Sequence, residues 1–183
     1  MEVNDRRAIS REYFSRERLA EHHFRSFNNF LGRGMQEVVD EKATIDTDIG
    51  DKEGEEPVFV ELGDVRIVTP RVREADGSEE LLYPQEARLR NITYAAPVFM
   101  EMAIIKGGYE EEERVVDQTE TKIGRMPIMV GSEKCNIHGF TRNELIDIGE
   151  DPADPGGYFI VNGSERVLMT SEDLAPNKIL AEY

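Results

Sequence analysis

Residues 156–169, Gly156-Gly157-Tyr158-Phe159-Ile160-Val161-Asn162-Gly163-Ser164-Glu165-Arg166-Val167-Leu168-Met169, constrain this chain more than any other stretch. Two apolar runs, 158–161 and 167–169, flank an Asn-Gly pair. Asn-Gly supplies the positive φ angles that a tight hairpin turn demands, so strand–turn–strand is the expected local structure. Unbroken β-branched and aromatic residues, in place of strict alternation, point to strands buried on both faces. The polar bridge from Asn162 to Arg166 then stands at a rim, with Arg166 at the foot of the second strand.

The rest of the chain reads as one α+β domain, a mixed and mainly antiparallel sheet with an N-terminal helix. Residues 1–14 form a flexible N-terminus, and 15–183 form the domain, cut short at its C-terminal end. Within it, 15–40 is helical, 44–57 is an acidic solvated loop and 58–183 is the sheet region. Ser15 caps a helix whose stripe runs through Leu19, His23 or Phe24, Phe27, Leu31, Met35 and Val38 or Val39. Gly32 and Gly34 each cost about 1 kcal/mol inside a helix, so a bend or short break is expected near residue 33. Phe24, Phe27 and Phe30 recur at helical spacing and read as core. Residues 58–62 and 65–68 are expected as two strands joined by Gly63-Asp64, and a turn at Asp76-Gly77 divides the polar stretch 71–82. A short helix at 85–89 precedes a strand over 92–102 that 103–105 continue, and Gly107-Gly108 turns the chain. The carboxylate run 110–113 is a solvated loop. Pro127 makes the strand 123–130 an edge or interrupts it. Residues 141–148 have helical character, and the Pro- and Gly-rich 151–157 break the chain before the hairpin. The βαβ rhythm of a parallel sheet is missing.

Charge is the outstanding bulk property. Asp and Glu number 38 against 22 Lys and Arg, a formal charge of −16, and only six of the basic residues are lysine. Such a balance suits a salty cytoplasm, where screening removes most self-repulsion. The competing explanation is a free-standing acidic domain that binds a basic protein or mimics DNA. Residues 1–10 lack an apolar signal-like core, and no run is long enough to span a bilayer, so a cytoplasmic protein with no membrane partner is expected.

Catalytic motifs are sparse. A phosphate cradle of the Gly-x-x-x-x-Gly-Lys-Ser/Thr type is absent. Cys135 and His138 have a metal-like spacing, yet His22 and His23 lie on the expected helix, and a structural zinc wants four ligands. A buried Cys135 and a surface His138 are therefore expected, with an independent hydrolase using Cys135 as the remotest reading. Net negative charge opposes phosphate binding at long range, which leaves local cations: Arg88, Arg90, Arg125, Lys134, Arg166 and Lys178. Arg88 and Arg90 share a face if extended and diverge if helical; pairing with neighbouring carboxylates is the plainer expectation for both. Asn91-Ile92-Thr93 and Asn162-Gly163-Ser164 match the glycosylation pattern in a chain without a secretory signal.

Four blocks also carry a resemblance: HHFRSFNNFLGRGMQEVVDE (22–41), ARLRNITYAAPVFMEM (87–102), IGRMPIMVGSEKC (123–135) and GGYFIVNGSERVLM (156–169). In this order they resemble the N-terminal part of the second-largest subunit of multisubunit DNA-directed RNA polymerase, most closely the N-terminal half of its archaeal, haloarchaeal form. The resemblance covers nearly the whole chain. It implies a fold like the protrusion, one wall of the DNA cleft, which a later segment of the same polypeptide completes. It further implies partners: DNA, the RNA–DNA hybrid, the largest subunit and the remainder of the second. Arg166, Met169 and Ser171 match positions beside the hybrid and are candidates for nucleic-acid proximity, with Arg125 and Lys134 as further cations. In that family the metal-binding aspartates belong to the largest subunit, and the zinc site and nucleotide-contacting lysines lie far downstream. The resemblance thus implies no catalytic residue and no cofactor in this chain, with Mg2+ and zinc elsewhere in the enzyme.

Overall fold

The computed structural model describes residues 3–16, 19–47, 49, 57–107 and 114–171. The first helix, α1 (Val3–Arg16), occupies the segment expected to be without fixed structure; its described side chains are all exposed. Ser15 lies in its last turn and not at a cap. The helical stripe begins instead at α2 (Glu21–Asn29), with Ala20 as N-cap, and Leu19 is 71% exposed. A π turn, Phe30–Gly34, joins α2 to α3 (Met35–Asp40). This is the bend expected from two glycines, made by widening the helix by one residue per turn and not by breaking it.

Four strands form the main sheet in the order β1 (Thr44–Asp46), β2 (Val58–Ile67), β5 (Ala95–Lys106) and β6 (Arg114–Pro127), all antiparallel. Between them in sequence lie the hairpin β3 (Arg71–Arg73) and β4 (Glu79–Leu81) and the helix α4 (Pro84–Leu89), which starts on Pro84. The fold class is therefore α+β with antiparallel sheets, as expected. Details differ. Residues 44–46 of the expected acidic loop pair with β2; residues 48 and 50–56, the run 108–113, Lys178 and all of 172–183 lie outside the described residues. The two expected strands at 58–68 are one strand with a β-bulge, since Leu62 faces Met102 while Val65 faces Met100. An extra residue at Gly63-Asp64 leaves backbone groups unpaired. Gln36 of α3 satisfies them: its Oε1 accepts from Val65 N at 2.8 Å and its Nε2 donates to Gly63 O at 3.3 Å.

Strand β6 begins nine residues before the expected one and ends at Pro127, on the free edge of the sheet. Its missing N–H is tolerated there. The core lies where β5 and the segment after β6 meet the hairpin, around Tyr94, Ala96, Ile128, Val130 and Ile160, all at most 1% exposed. Phe24 of α2 closes a second cluster with Met129 and Phe159. Of the three phenylalanines expected as core, Phe24 is 1% exposed, Phe27 half-buried and Phe30 39% exposed.

Candidate nucleic-acid interface

The 156–169 stretch does form a hairpin, but a shorter and more exposed one than its sequence suggests. β7 (Phe159–Val161) pairs with β8 (Ser164–Arg166) through a two-residue turn in which Asn162 (φ 50°) and Gly163 (φ 76°) both take positive φ. That is the type I′ geometry expected of Asn-Gly. The expected second strand at 167–169 is displaced: Val167, Leu168 and Met169 follow β8 and are 61%, 61% and 86% exposed. Only β7 is buried. The apolar run has the composition of a strand, whereas the tight turn forces pairing to start at Ser164.

Two Asn-led turns hold the hairpin to the sheet. Asn91 (φ 53°) ends α4, and apart from Asn162 it is the only non-glycine with positive φ among the described residues. Gly163 N donates to Ile92 O at 3.1 Å, Asn162 N donates to Thr93 Oγ1 at 3.1 Å, and Tyr94 N donates to Ile160 O at 3.0 Å. A Cβ on Gly163 would sit 2.8 Å from Asn91 Cα, so the approach requires glycine. The two glycosylation-like triplets are thus the two halves of one docking contact.

Beside this contact Arg88, on α4, gathers four segments of chain. Its guanidinium meets Glu165 Oε1 at 3.0 Å, Glu150 Oε2 at 3.3 Å, Asp154 Oδ2 at 3.4 Å and Gln85 Oε1 at 3.1 Å, and it bonds the Tyr158 hydroxyl. Tyr158 in turn donates to Asp154. Burial by itself lowers the Arg88 pKa, but pairing with Tyr158, Glu150 and Glu165 outweighs it and the net shift is upward. Burial, then the bond to Asp154, raises that of Tyr158. Arg90 turns away on the helix and pairs with Glu74 at 2.6 Å and Glu86 at 2.7 Å. Both arginines are therefore paired with carboxylates, the plainer of the two expectations.

Side chains alternate along a strand, so Glu165 and Arg166 leave β8 on opposite faces. Glu165 turns to Arg88. Arg166 lines the rim of a groove of about 560 Å³ with Phe27, Phe30, Met126, Phe159 and Leu168, an apolar surface with His23 beside it. Arg166 is exposed and has no ion-pair partner among the described residues. Met169 and Ser171 follow it, both exposed. Arg125, on β6, donates to the carbonyls of Arg71 (3.3 Å) and Ala95 (3.2 Å), which ties its guanidinium to the sheet end. Lys134 is exposed in the loop after β6. Arg166, Met169 and Ser171 are thus neighbours along the chain, each exposed, while Arg125 on β6 and Lys134 in the loop after it stand elsewhere.

Cys135 is buried, 4% exposed, and its Sγ lies 3.3 Å from the Tyr94 hydroxyl; His138 is exposed. Burial pushes the Cys135 thiol up and keeps it neutral. Among the described residues no three His, Cys, Asp or Glu side chains are placed to hold a metal ion, and no helix is long and apolar enough to cross a membrane. Sequence reasoning did not find Glu165, Glu150 and Asp154 as partners of Arg88. They lie 62–77 residues from it, beyond the reach of any local pattern.

A family model described as RNA polymerase beta subunit matches residues 18–180. The DNA-directed RNA polymerase subunit Rpo2N of Halobacterium salinarum is 82% identical over 179 residues, which are 98% of this chain and 34% of that protein. Rpo2N of Methanothermobacter thermautotrophicus is 46% identical over 170 residues, 93% of this chain and 31% of that protein. Rpo2 of Saccharolobus shibatae is 44% identical over 182 residues, all of this chain and 15% of that protein. The chain thus spans about a third of the length of the Rpo2N relatives it matches.

Proposed function

Because the chain belongs to the RNA polymerase beta subunit family, we propose that it works as one part of a DNA-directed RNA polymerase, transcribing DNA into RNA together with the rest of its subunit and the largest subunit. In this reading it supplies no catalytic group. It walls the cleft that DNA occupies, and the strip Arg166, Met169 and Ser171 faces nucleic acid, with Arg125 and Lys134 as further cations. The Mg2+ and zinc that such an enzyme uses are bound by other parts of it.

The observation that carries this is the state of Arg166. Arg88, Arg90 and Arg66 are each held by carboxylates, yet Arg166 stands exposed without one among the described residues, on a chain of charge −16. A guanidinium exposed at the rim of an apolar groove, with no carboxylate paired to it among the described residues, is available to a phosphate by contact. The 82% identity to a halobacterial subunit supports a salty working environment. There the Debye length is about 3 Å at 1 M, so the negative surface neither steers nor repels DNA beyond contact.

Polymerase assembled with the complete subunit carrying Arg166→Ala tests the reading. The salt dependence of DNA binding is expected to fall by about one counterion and the complex to dissociate faster. Identical salt dependence and lifetime would overturn it.

A further inference from the structure

Contact-only recognition puts the whole weight on where a cation stands, and the fold contains a device that sets this. We propose that the Arg88–Glu165 pair is the positioning element for Arg166, fixing the rotation of β8 so that residue 166 points out over the groove and not back along the sheet. This rests on the reading of Arg166 as a cation that meets nucleic acid.

Three observations carry it. First, β7–β8 has only three paired positions and forms a sheet of its own, and a ribbon that short does not hold its orientation unaided. Second, the turn end is pinned by Ile92 and Thr93, but these contacts stop at Gly163, leaving Ser164 to Arg166 without backbone bonds to α4 or β5. Third, Glu165 is the only residue of β8 whose side chain is hydrogen-bonded among the described residues, and that bond goes to Arg88 Nε at 3.0 Å. Arg88 is itself immobilised by Gln85, Glu150, Asp154 and Tyr158, and its side chain is 20% exposed. A planar guanidinium held at several nitrogens fixes direction as well as distance. Because successive side chains on a strand oppose one another, anchoring Glu165 on one face sets Arg166 on the other.

The sign of one substitution separates positioning from charge. Glu165→Ala removes a carboxylate next to a nucleic-acid-facing cation, so charge alone makes polymerase carrying it bind DNA more tightly at low salt. Positioning makes it bind more weakly, in the direction of Arg166→Ala. The expected result, with the complete subunit assembled into polymerase and titrated with duplex DNA over a salt series, is weaker binding for Glu165→Ala. The double variant Glu165→Ala, Arg166→Ala is expected to bind no more weakly than Arg166→Ala alone, because both act through one cation. Tighter binding by Glu165→Ala, or a double variant whose losses add, would overturn the positioning role. Hydrogen exchange of amides 159–166 in the same enzyme tests the pair independently of DNA. Faster exchange in both Glu165→Ala and Arg88→Lys is expected, and protection equal to the parent overturns the inference. Should Arg166→Ala itself leave binding unchanged while exchange quickens, the nucleic-acid reading fails and the mechanical pair stands.

Discussion

Two antiparallel pairings in this chain, β5–β6 and β7–β8, are joined by opposite means. The first joins strands of twelve and fourteen residues, from Ala95 opposite Pro127 to Lys106 opposite Arg114, and its outer strand is exposed over 116–125. It holds by its own ladder. The second has three pairs and is fastened from outside by Ile92, Thr93 and Arg88. A long ribbon spreads its stability over many small terms, whereas a short one concentrates it in a few side chains. Single substitutions should therefore be mild on the ribbon and severe around the hairpin.

The largest effect is expected at Phe24. Its ring is 1% exposed, and it packs where Gly131 and Gly156 let the backbone approach; a Cβ on Gly156 would lie 3.1 Å from the ring and 2.5 Å from Val130 O. Phe24→Ala is expected to cost about 3–5 kcal/mol in urea unfolding. Ile123→Ala on β6, where the side chain is 48% exposed, is expected to change stability by no more than about 0.5 kcal/mol. Equal losses at the two positions would erase the contrast.

Next comes Asn136. Its Nδ2 donates to Pro70 O at 2.8 Å and Leu82 O at 2.7 Å, and its N–H donates to the Tyr94 hydroxyl at 2.9 Å. Asn136→Ala strands the Leu82 carbonyl beside buried residues, while Pro70 O keeps the bond from Leu82 N at 3.1 Å, and is expected to cost about 2 kcal/mol. Asn136→Asp keeps the shape but gives up the Nδ2 donor, and is expected to cost at least as much. Gln36→Ala should be milder, about 1 kcal/mol, since the bulge it serves lies half-exposed. Its signature is local: the Val65 amide is expected to exchange faster while β5–β6 amides do not.

What is legible in the chain follows the same division. Asn162-Gly163 and Asp76-Gly77 announce their turns because positive φ is a property of one or two residues. The helical character of 141–148 corresponds to α5 (Arg142–Asp147), which a capping box of Thr141 and Glu144 opens, also a local device. Strand β6 is illegible over 114–122: apart from the adjacent Val115 and Val116 its residues are polar, so no alternation marks a buried face, and as an edge it pairs on one side only. The sequence misplaces β8 because Val167, Leu168 and Met169 look like a strand and yet lie beyond the pairing that the turn allows. Arg166 stands out by charge and position, but its setting depends on Arg88, 77 residues from Glu165. Nothing periodic encodes a contact at that range.

The smallest effect sharpens the comparison from the ribbon's side. Arg66, on β2, reaches across β5 to Glu120 on β6, with Nε to Oε1 and Nη2 to Oε2 both 2.8 Å, and its guanidinium lies 4.9 Å from the centre of the Phe99 ring. This is a bidentate pair, but 53% and 40% exposed. The bond from Arg66 holds the Glu120 carboxyl below its ordinary value. A depressed folded pKa stabilises the fold above the unfolded value, about 4.3 for glutamate, and that contribution is lost as pH falls through the lower, folded value. An NMR titration of Glu120 should give a midpoint below about 4.3, and Arg66→Ala should return it to the ordinary range. In molar salt both the shift and the stability difference between parent and Arg66→Ala are expected to shrink towards zero, because exposed pairs are screened. The Arg88 network, only partly open to solvent, should keep its effect on hairpin exchange under the same salt. If the two clusters faded together, burial would not be what separates a clamp from a surface ion pair in this fold.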